Sequence, residues 1–92
     1  MLASMAKLAQ RAIRKQRERK IFLDLLRQLR KQKGLTQGEL AKGIGAKQAF
    51  VSKYETGKRR LDFLDLVAIC DVLAIPIIKF AERFESVRKS TS

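Results

Sequence analysis

Residues 47–57 carry four chemically different side chains at helical spacing. The stretch reads KQAFVSKYETG, in which Val51 and Tyr54 are three residues apart and predict the buried face of a short helix. The other side of that helix presents an amide, a methyl, a hydroxyl and an ammonium group, on Gln48, Ala49, Ser52 and Lys53. Such groups suit hydrogen bonding and contact with base edges and phosphates. The pattern therefore indicates recognition by binding, with no bond-making step.

Another short helix is predicted directly before this one. Thr36 and Glu39 have the spacing of a capping box, in which the Thr hydroxyl accepts from the N3 amide and the Glu carboxylate accepts from the cap amide. The apolar residues that follow on one face are Leu40, Ala41 and Ile44. Gly45 comes next, where the chain must turn sharply and a residue free to adopt positive φ is favoured. Together the two stretches predict two short helices joined by a tight turn.

The net charge of +12 is distributed unevenly along the chain. Residues 1–60 contain 17 Lys or Arg against four acids, whereas residues 61–92 contain four against five. A one-sided basic field attracts a polyanion. Nucleic acid or an anionic membrane surface is therefore favoured as the partner over a neutral small molecule, and charge alone does not choose between the two.

The composition narrows the fold class and the kinds of site. With 92 residues, the chain can form one helical core but not a second domain. Pro76 is the only proline and turn-forming clusters are scarce, which favours an all-α fold. Because there is no His and a single Cys, Cys70, we expect neither a disulfide nor a metal site, and we expect Cys70 to pack as a small apolar residue. Without a Gly-rich phosphate loop or a paired-carboxylate cluster, we also expect no cofactor and no enzyme activity.

Apolar spacing divides the chain into an arm, a domain and a tail. Residues 1–20 predict a basic amphipathic helical arm, or an extension of the following helix, and are called the basic arm below. Residues 21–85 predict the helical domain, and residues 86–92 a frayed tail. Residues 47–55 are the second of the two short helices.

Three further helices complete the predicted domain. The first ends near Gly34 and has an apolar face of Phe22, Leu25, Leu26 and Leu29. The fourth is expected to begin at Asp62, with Asp65 at N3. Its expected buried residues are Phe63, Leu66, Val67, Cys70 and Leu73. The fifth begins at Pro76. Its apolar residues, Ile77, Ile78, Phe80, Ala81 and Phe84, outnumber what a small core needs, so some are expected to form a dimer patch.

The sequences LTQGELAKGIG at 35–45 and QAFVSKYETG at 48–57 resemble the helix-turn-helix domains of phage repressors, Cro and the Xre-like bacterial regulators. The resemblance covers about Phe22 to Phe84. It implies a five-helix phage-repressor-like domain that binds double-stranded DNA, with residues 47–55 as a recognition helix in the major groove. It also implies a homodimer, which we expect to form through residues 61–85.

The resemblance assigns roles to individual side chains. Base contacts are expected from Gln48, Ala49 and Lys53. Phosphate contacts are expected from Gln37, Ser52, Lys58, Arg59 and Arg60. Further candidate contacts are Lys47 and Phe50, where Phe50 packs either on deoxyribose and thymine methyls or on the loop at 57–60. Arg30 and Glu55 are expected to form a structural pair that ties the first helix to the recognition helix.

Two features depart from the family pattern. Lys47 occupies a position where the family usually has a Ser or Thr cap, so the recognition helix is expected to be capped less well or to begin one residue away. The basic arm exceeds the family's minimal domain. Three interpretations of it stay open: contact with DNA, packing as a helix on the body or a second subunit, and disorder.

The function expected from these observations is a cytoplasmic, nucleoid-associated, sequence-specific regulator that represses as a dimer on a palindromic operator. A restriction-modification controller and an antitoxin with a toxin partner are alternatives within the same fold. An alternative of another class is a basic interaction protein that uses the basic arm on an anionic membrane or an acidic partner. No apolar stretch approaches the roughly 20 residues needed to cross a bilayer, so a membrane role is not favoured.

Overall fold

A computed structural model describes residues 2–90 and has no strand within that range. Its five helices are α1 (Leu2–Gln32), α2 (Gln37–Gly43), α3 (Gln48–Glu55), α4 (Phe63–Val72) and α5 (Ile77–Ser90). The predicted all-α, five-helix class is confirmed. Within the described range no helix is both long and apolar enough to span a bilayer.

Side-chain caps fix where α2 and α4 begin. The amide of Glu39 donates to the Thr36 hydroxyl at 3.0 Å, and the amide of Thr36 donates to the Glu39 carboxylate at 3.0 Å. These bonds lower the pKa of Glu39, the backbone bond with Thr36 contributing most. Asp62 and Asp65 form the equivalent reciprocal pair before α4, at 2.7 and 3.1 Å. Both predicted helix starts are therefore present, and each satisfies two amides that the helix leaves unpaired.

Helix α3, the expected recognition helix, begins without a side-chain cap. Lys47 holds the N-cap position with extended backbone and makes no capping hydrogen bond, because a lysine side chain has no acceptor. The helix starts at Gln48, one residue after the start first expected. Before it, Gly45 turns the chain at φ +72°, in the left-handed region where glycine is favoured.

The core lies where α1, α2, α3, α4 and α5 converge. Its fully buried side chains with the largest volumes are Leu26, Leu40, Val51, Tyr54, Ile69 and Cys70. Burial raises the pKa of the Cys70 thiol to about 11, so it stays protonated at neutral pH and packs as an apolar group. Helix α3 contributes Val51 and Tyr54 to this core, as its spacing predicted.

Helix α4 is rotated relative to the expected orientation. Phe63, expected in the core, is 65% exposed, and Val67 is half-buried, whereas Ile69 is completely buried. Eight of the ten residues of α4 are apolar. Periodicity cannot select one face of a helix that is apolar on all sides, which is why the expectation for Phe63 was wrong.

Helix α5 runs antiparallel to α1 and is longer than expected. The ring of Phe22 contacts Phe80 and Phe84, with centroids 5.9 and 6.4 Å apart. Further along, Arg88 donates to Glu18 at 3.1 Å and pairs with Glu85 at 2.6 Å. The expected frayed tail at 86–92 is therefore helical as far as residue 90, because these contacts hold the last turns; residues 91 and 92 lie outside the described range.

The basic arm is the N-terminal part of α1. Helix α1 continues through residue 20 without a break and contains no Gly or Pro between its ends. Its 31 residues span about 46 Å at 1.5 Å per residue, close to the 49 Å longest dimension of the molecule. Residues 4–17 are exposed, although Ala12, Lys15 and Gln16 line a cavity together with residues 59–61. Glu18 and Arg19 hydrogen-bond to the body. The arm therefore projects as a rigid helix.

The Tyr54 hydroxyl is expected to lower the stability of the fold. It is buried and has no hydrogen-bond partner among residues 2–90, and burial raises the pKa of Tyr54 well above its usual value. Tyr54→Phe removes this unsatisfied group without changing the ring, so we expect the free energy of unfolding to rise by about 1 kcal/mol in urea titrations. Tyr54→Leu is the control and should destabilise, because it removes the ring that packs edge-on against Phe50. A loss of stability in Tyr54→Phe would contradict the assignment.

Candidate nucleic-acid interface

The outer side of α3 is a polar surface on a fixed helix. Gln48, Ala49 and Lys53 are exposed, and Ser52 is half-buried beside them. None of the described residues hydrogen-bonds to the Gln48 or Lys53 side chains. The Gln48 amide lies near the start of α2: a Cβ atom built on Gly38 would be 3.8 Å from Gln48 Oε1. The structure thus brings the three expected base-contacting residues together on one accessible face.

A buried ion pair holds that face in place. Arg30 donates from Nε to Glu55 Oε2 at 2.7 Å and from Nη2 to Glu55 Oε1 at 3.0 Å. Its Nη1 donates to the Leu35 carbonyl at 2.8 Å. The two side chains are 8% and 2% exposed. The expected pair is therefore bidentate, and it joins α1, the α1–α2 turn and the end of α3.

The ion pair stays charged at neutral pH. Burial alone would raise the pKa of Glu55, but hydrogen bonds from Arg30 and Gln37 outweigh it and the net pKa is lowered. The same bond to Glu55 raises the pKa of Arg30. Neither group therefore changes its charge near neutrality, and the orientation of α3 does not depend on pH there.

Gln37 belongs to the same network. Its Nε2 donates to Glu55 Oε1 at 3.0 Å, so one amide hydrogen is already used inside the protein. The second amide hydrogen of Gln37 is not used by any described residue. The side chain is half-buried at the start of α2. Gln37, the residue expected to bind a phosphate, is thus held in position by the carboxylate at the end of α3.

The loop after α3 carries the expected basic cluster. Lys58, Arg59 and Arg60 are all exposed, following Gly57 at φ +79°. The Arg59 guanidinium lies over the Phe50 ring, 4.7 Å from its centroid. This is the loop contact that was one of the two expected placements for Phe50. The stacking restricts where Arg59 can reach.

Two arginines of α1 join this surface and were missed by the sequence analysis. Arg19 Nη2 donates to the Gly57 carbonyl at 3.0 Å, which ties α1 to the basic loop. Arg27 has a side chain 54% exposed, and its Nε is 4.0 Å from Glu55 Oε1. Arg27 lies three residues before Arg30 on the same helix, so its spacing could have suggested it. The partner of Arg19 is 38 residues away and no local signal points to it.

The interface contains cations, amides and a methyl group. No group of three potential metal ligands occurs among residues 2–90. Around Glu55 the charges are two arginines and one carboxylate, so the network itself has a net positive charge. With the loop cations, this surface can attract a polyanion and contact it through hydrogen bonds.

Comparisons with known proteins agree with this geometry. A family model described as helix-turn-helix, HTH_3, matches residues 26–80, which is more than half of the chain. An XRE-family like protein from Pseudomonas syringae pv. tomato str. DC3000 is 33% identical and superposes with a TM-score of 0.78, over 86% of this chain and 95% of that chain. Among curated proteins, none matches significantly.

The fold is also similar to that of the clp gene regulator ClgR from Corynebacterium glutamicum. One ClgR structure is 22% identical with a TM-score of 0.70, over 80% of this chain and 79% of that chain. Another is 23% identical with a TM-score of 0.66, over 75% and 88%. The matched model covers both helices of the tight-turn unit, and the chain therefore belongs to the Xre-like helix-turn-helix family of DNA-binding transcriptional regulators.

Proposed function

We propose that this regulator binds a specific palindromic operator as a homodimer and represses by occupying a promoter, acting on the nucleoid in the cytoplasm. The observation that carries the proposal is the exposed face of α3, with Gln48, Ala49 and Lys53 side by side on a helix anchored by Val51 and Tyr54. An anchored helix can present base-reading groups with little loss of conformational freedom on binding.

Each side chain on that face suits a particular base edge. Gln48 can bond to both the acceptor and the donor of adenine in the major groove. The Ala49 methyl can pack on a thymine methyl, and the Lys53 ammonium can reach guanine acceptors or a phosphate. Good base contacts of this kind contribute roughly 1–3 kcal/mol of discrimination each.

Phosphate contacts supply affinity and register. Lys58, Arg59 and Arg60 extend from the loop after α3, and Gln37 has a free amide hydrogen at the start of α2. The Ser52 hydroxyl and the Lys47 ammonium flank the base-reading side chains. Neutralising phosphates releases counterions, so binding through these groups should weaken steeply with salt. Arg27 is added to this set because it is exposed beside Gln37 and Glu55.

A dimer would place two recognition helices on adjacent turns of the duplex, about 34 Å apart. Support for self-association comes from exposed apolar side chains in the region 61–85: Phe63 at 65%, Leu64 at 75% and Ile78 at 65%. Exposed large apolar side chains that cluster on a small domain mark interaction surfaces.

Selection from random duplex DNA tests the proposal as a whole. We expect enrichment of one sequence with two-fold symmetry, because two identical recognition helices would read the same bases on opposite strands. A single asymmetric site would contradict the dimer, and no enrichment at all would contradict specific recognition.

Gln48→Ala tests the base-reading assignment. We expect lost preference at one base position of each half-site, equivalent to roughly 1–3 kcal/mol, with non-specific affinity retained. The measurement is competition binding against operators carrying each base at that position. Gln32→Ala, on an exposed glutamine at the end of α1, is the matched control and should leave preference unchanged. If Gln48→Ala keeps the full preference, another residue reads that base.

Arg59→Ala tests the phosphate assignment. Affinity for operator and random DNA should fall to a similar extent, and the slope of log K against log salt should decrease by about 1. Fluorescence anisotropy over a salt series measures both quantities. Arg83→Ala removes an exposed cation from α5 and is expected to leave the slope unchanged. A loss confined to the operator would instead make Arg59 a base reader.

A further inference from the structure

Helix α4 has an outer face that is apolar and uncovered among the described residues. Leu66, Ile69 and Cys70 point to the core, yet the opposite side also carries apolar side chains. We define the outer face by its residues, Phe63, Leu64, Val67, Ala68 and Asp71. Leu64 is 75% exposed and Phe63 65%. A helix that is apolar on all sides is normally buried on all sides, so this face is expected to have a partner.

The charges around the outer face restrict the partner's chemistry. Residues 61–78 contain Asp62, Asp65 and Asp71 and no Lys or Arg. A partner that covers this face should therefore combine apolar side chains with positive charge.

The basic arm of this same chain has that combination. Met5, Leu8 and Ile13 are 66%, 61% and 59% exposed. Residues 4–17 also contain five cations and no acid: Lys7, Arg11, Arg14, Lys15 and Arg17. None of these five cations forms an ion pair within residues 2–90. The outer face of α4 thus carries one acid, Asp71, and no base, whereas residues 4–17 carry bases and no acid.

The two faces cannot meet within one copy. The arm is continuous with α1, which has no Gly or Pro to form a kink, and Arg19 and Arg30 hold the rest of that helix on the body. Helix α4 lies on another side, packed on α2 through Gly43 and Val72 and on α5. A rigid arm that projects from the body can reach an α4 only in another molecule.

We propose that in the homodimer each copy packs residues 4–17 of its basic arm on the outer face of α4 of the other copy. The inference rests on the dimer proposed above and names its contact surfaces. Pairing arm with arm would bring two sets of five cations together, and pairing α4 with α4 would bring Asp71 near its copy. The crossed pairing brings the cations of the arm near Asp71, the one acid on the outer face, and two-fold exchange closes the assembly at two copies.

Sedimentation equilibrium without DNA measures the contact directly. Leu8→Glu in the arm and Leu64→Lys in α4 should each raise the dimer dissociation constant at least about tenfold. Each change removes an apolar contact and places a charge opposite a surface of the same sign. Gln10→Glu adds the same charge as Leu8→Glu on the polar side of the arm and is the control. Circular dichroism should show unchanged helix content, since all three positions are exposed.

Exchanging the charges of the two surfaces is a second test. The Arg11→Glu/Arg14→Glu pair and Asp71→Lys should each weaken the dimer, and the protein carrying all three changes should recover part of the loss. If the changes only disturbed the local structure of each surface, combining them would not restore dimerisation.

The outcomes separate the inference from the proposed function. A dimer whose dissociation constant is unchanged in both Leu variants overturns the crossed pairing and leaves a dimer formed by another surface. A wild-type chain that stays monomeric overturns both the pairing and the dimer. Arm variants that lose affinity for DNA while dimerising normally assign the arm to DNA and overturn the pairing.

Discussion

The ion pair between Arg30 and Glu55 is the constraint on which the rest of the interface depends. One carboxylate receives two bonds from α1 and one from Gln37 in α2, and it ends the helix that carries Gln48. Because both groups are almost completely buried, removing either one leaves an unpaired charge in the core, a change that costs about 3–5 kcal/mol in comparable pairs. One carboxylate thus joins three helices, and the exposed side chains of α3 need few contacts of their own.

The parts of the fold that could be predicted from the sequence are those determined by neighbouring residues. Thr36 with Glu39, and Asp62 with Asp65, are three residues apart, so their spacing fixes two helix starts. Val51 and Tyr54 likewise identify the buried side of α3, and the exposed side follows by elimination. The missed features depend on distant partners or on uniform composition. Glu18 and Arg88 are 70 residues apart, and their bond is what extends α5 beyond the expected end. In α4 every face is apolar, so the pattern could not say which side meets the core.

In the candidate site, too, the features set by neighbouring residues could be predicted, and the contacts between distant residues could not. The residues on the outer side of α3 were identifiable because the motif is dense and its period is clear. The bond from Gln37 to Glu55, the stacking of Arg59 on Phe50 and the tie from Arg19 to Gly57 all cross between elements. These contacts limit how far each of these side chains can move, and the spacing of residues along the sequence does not reveal them. Helix α1 bonds to Gly57 through Arg19 and to Glu55 through Arg30, so α3 and the basic loop are both held by one rigid element.

The burial of Arg30 and Glu55 also has a consequence for how such a protein can diverge. Replacing only Arg30 or only Glu55 leaves a buried charge unpaired. Related proteins that lack the pair are therefore expected to have replaced both residues. Gln48 is exposed, and no described residue hydrogen-bonds to its side chain. It can therefore be replaced in one step with little effect on folding. On the function proposed for α3, the preferred DNA sequence can change rapidly among related proteins while the helical frame is inherited almost unchanged.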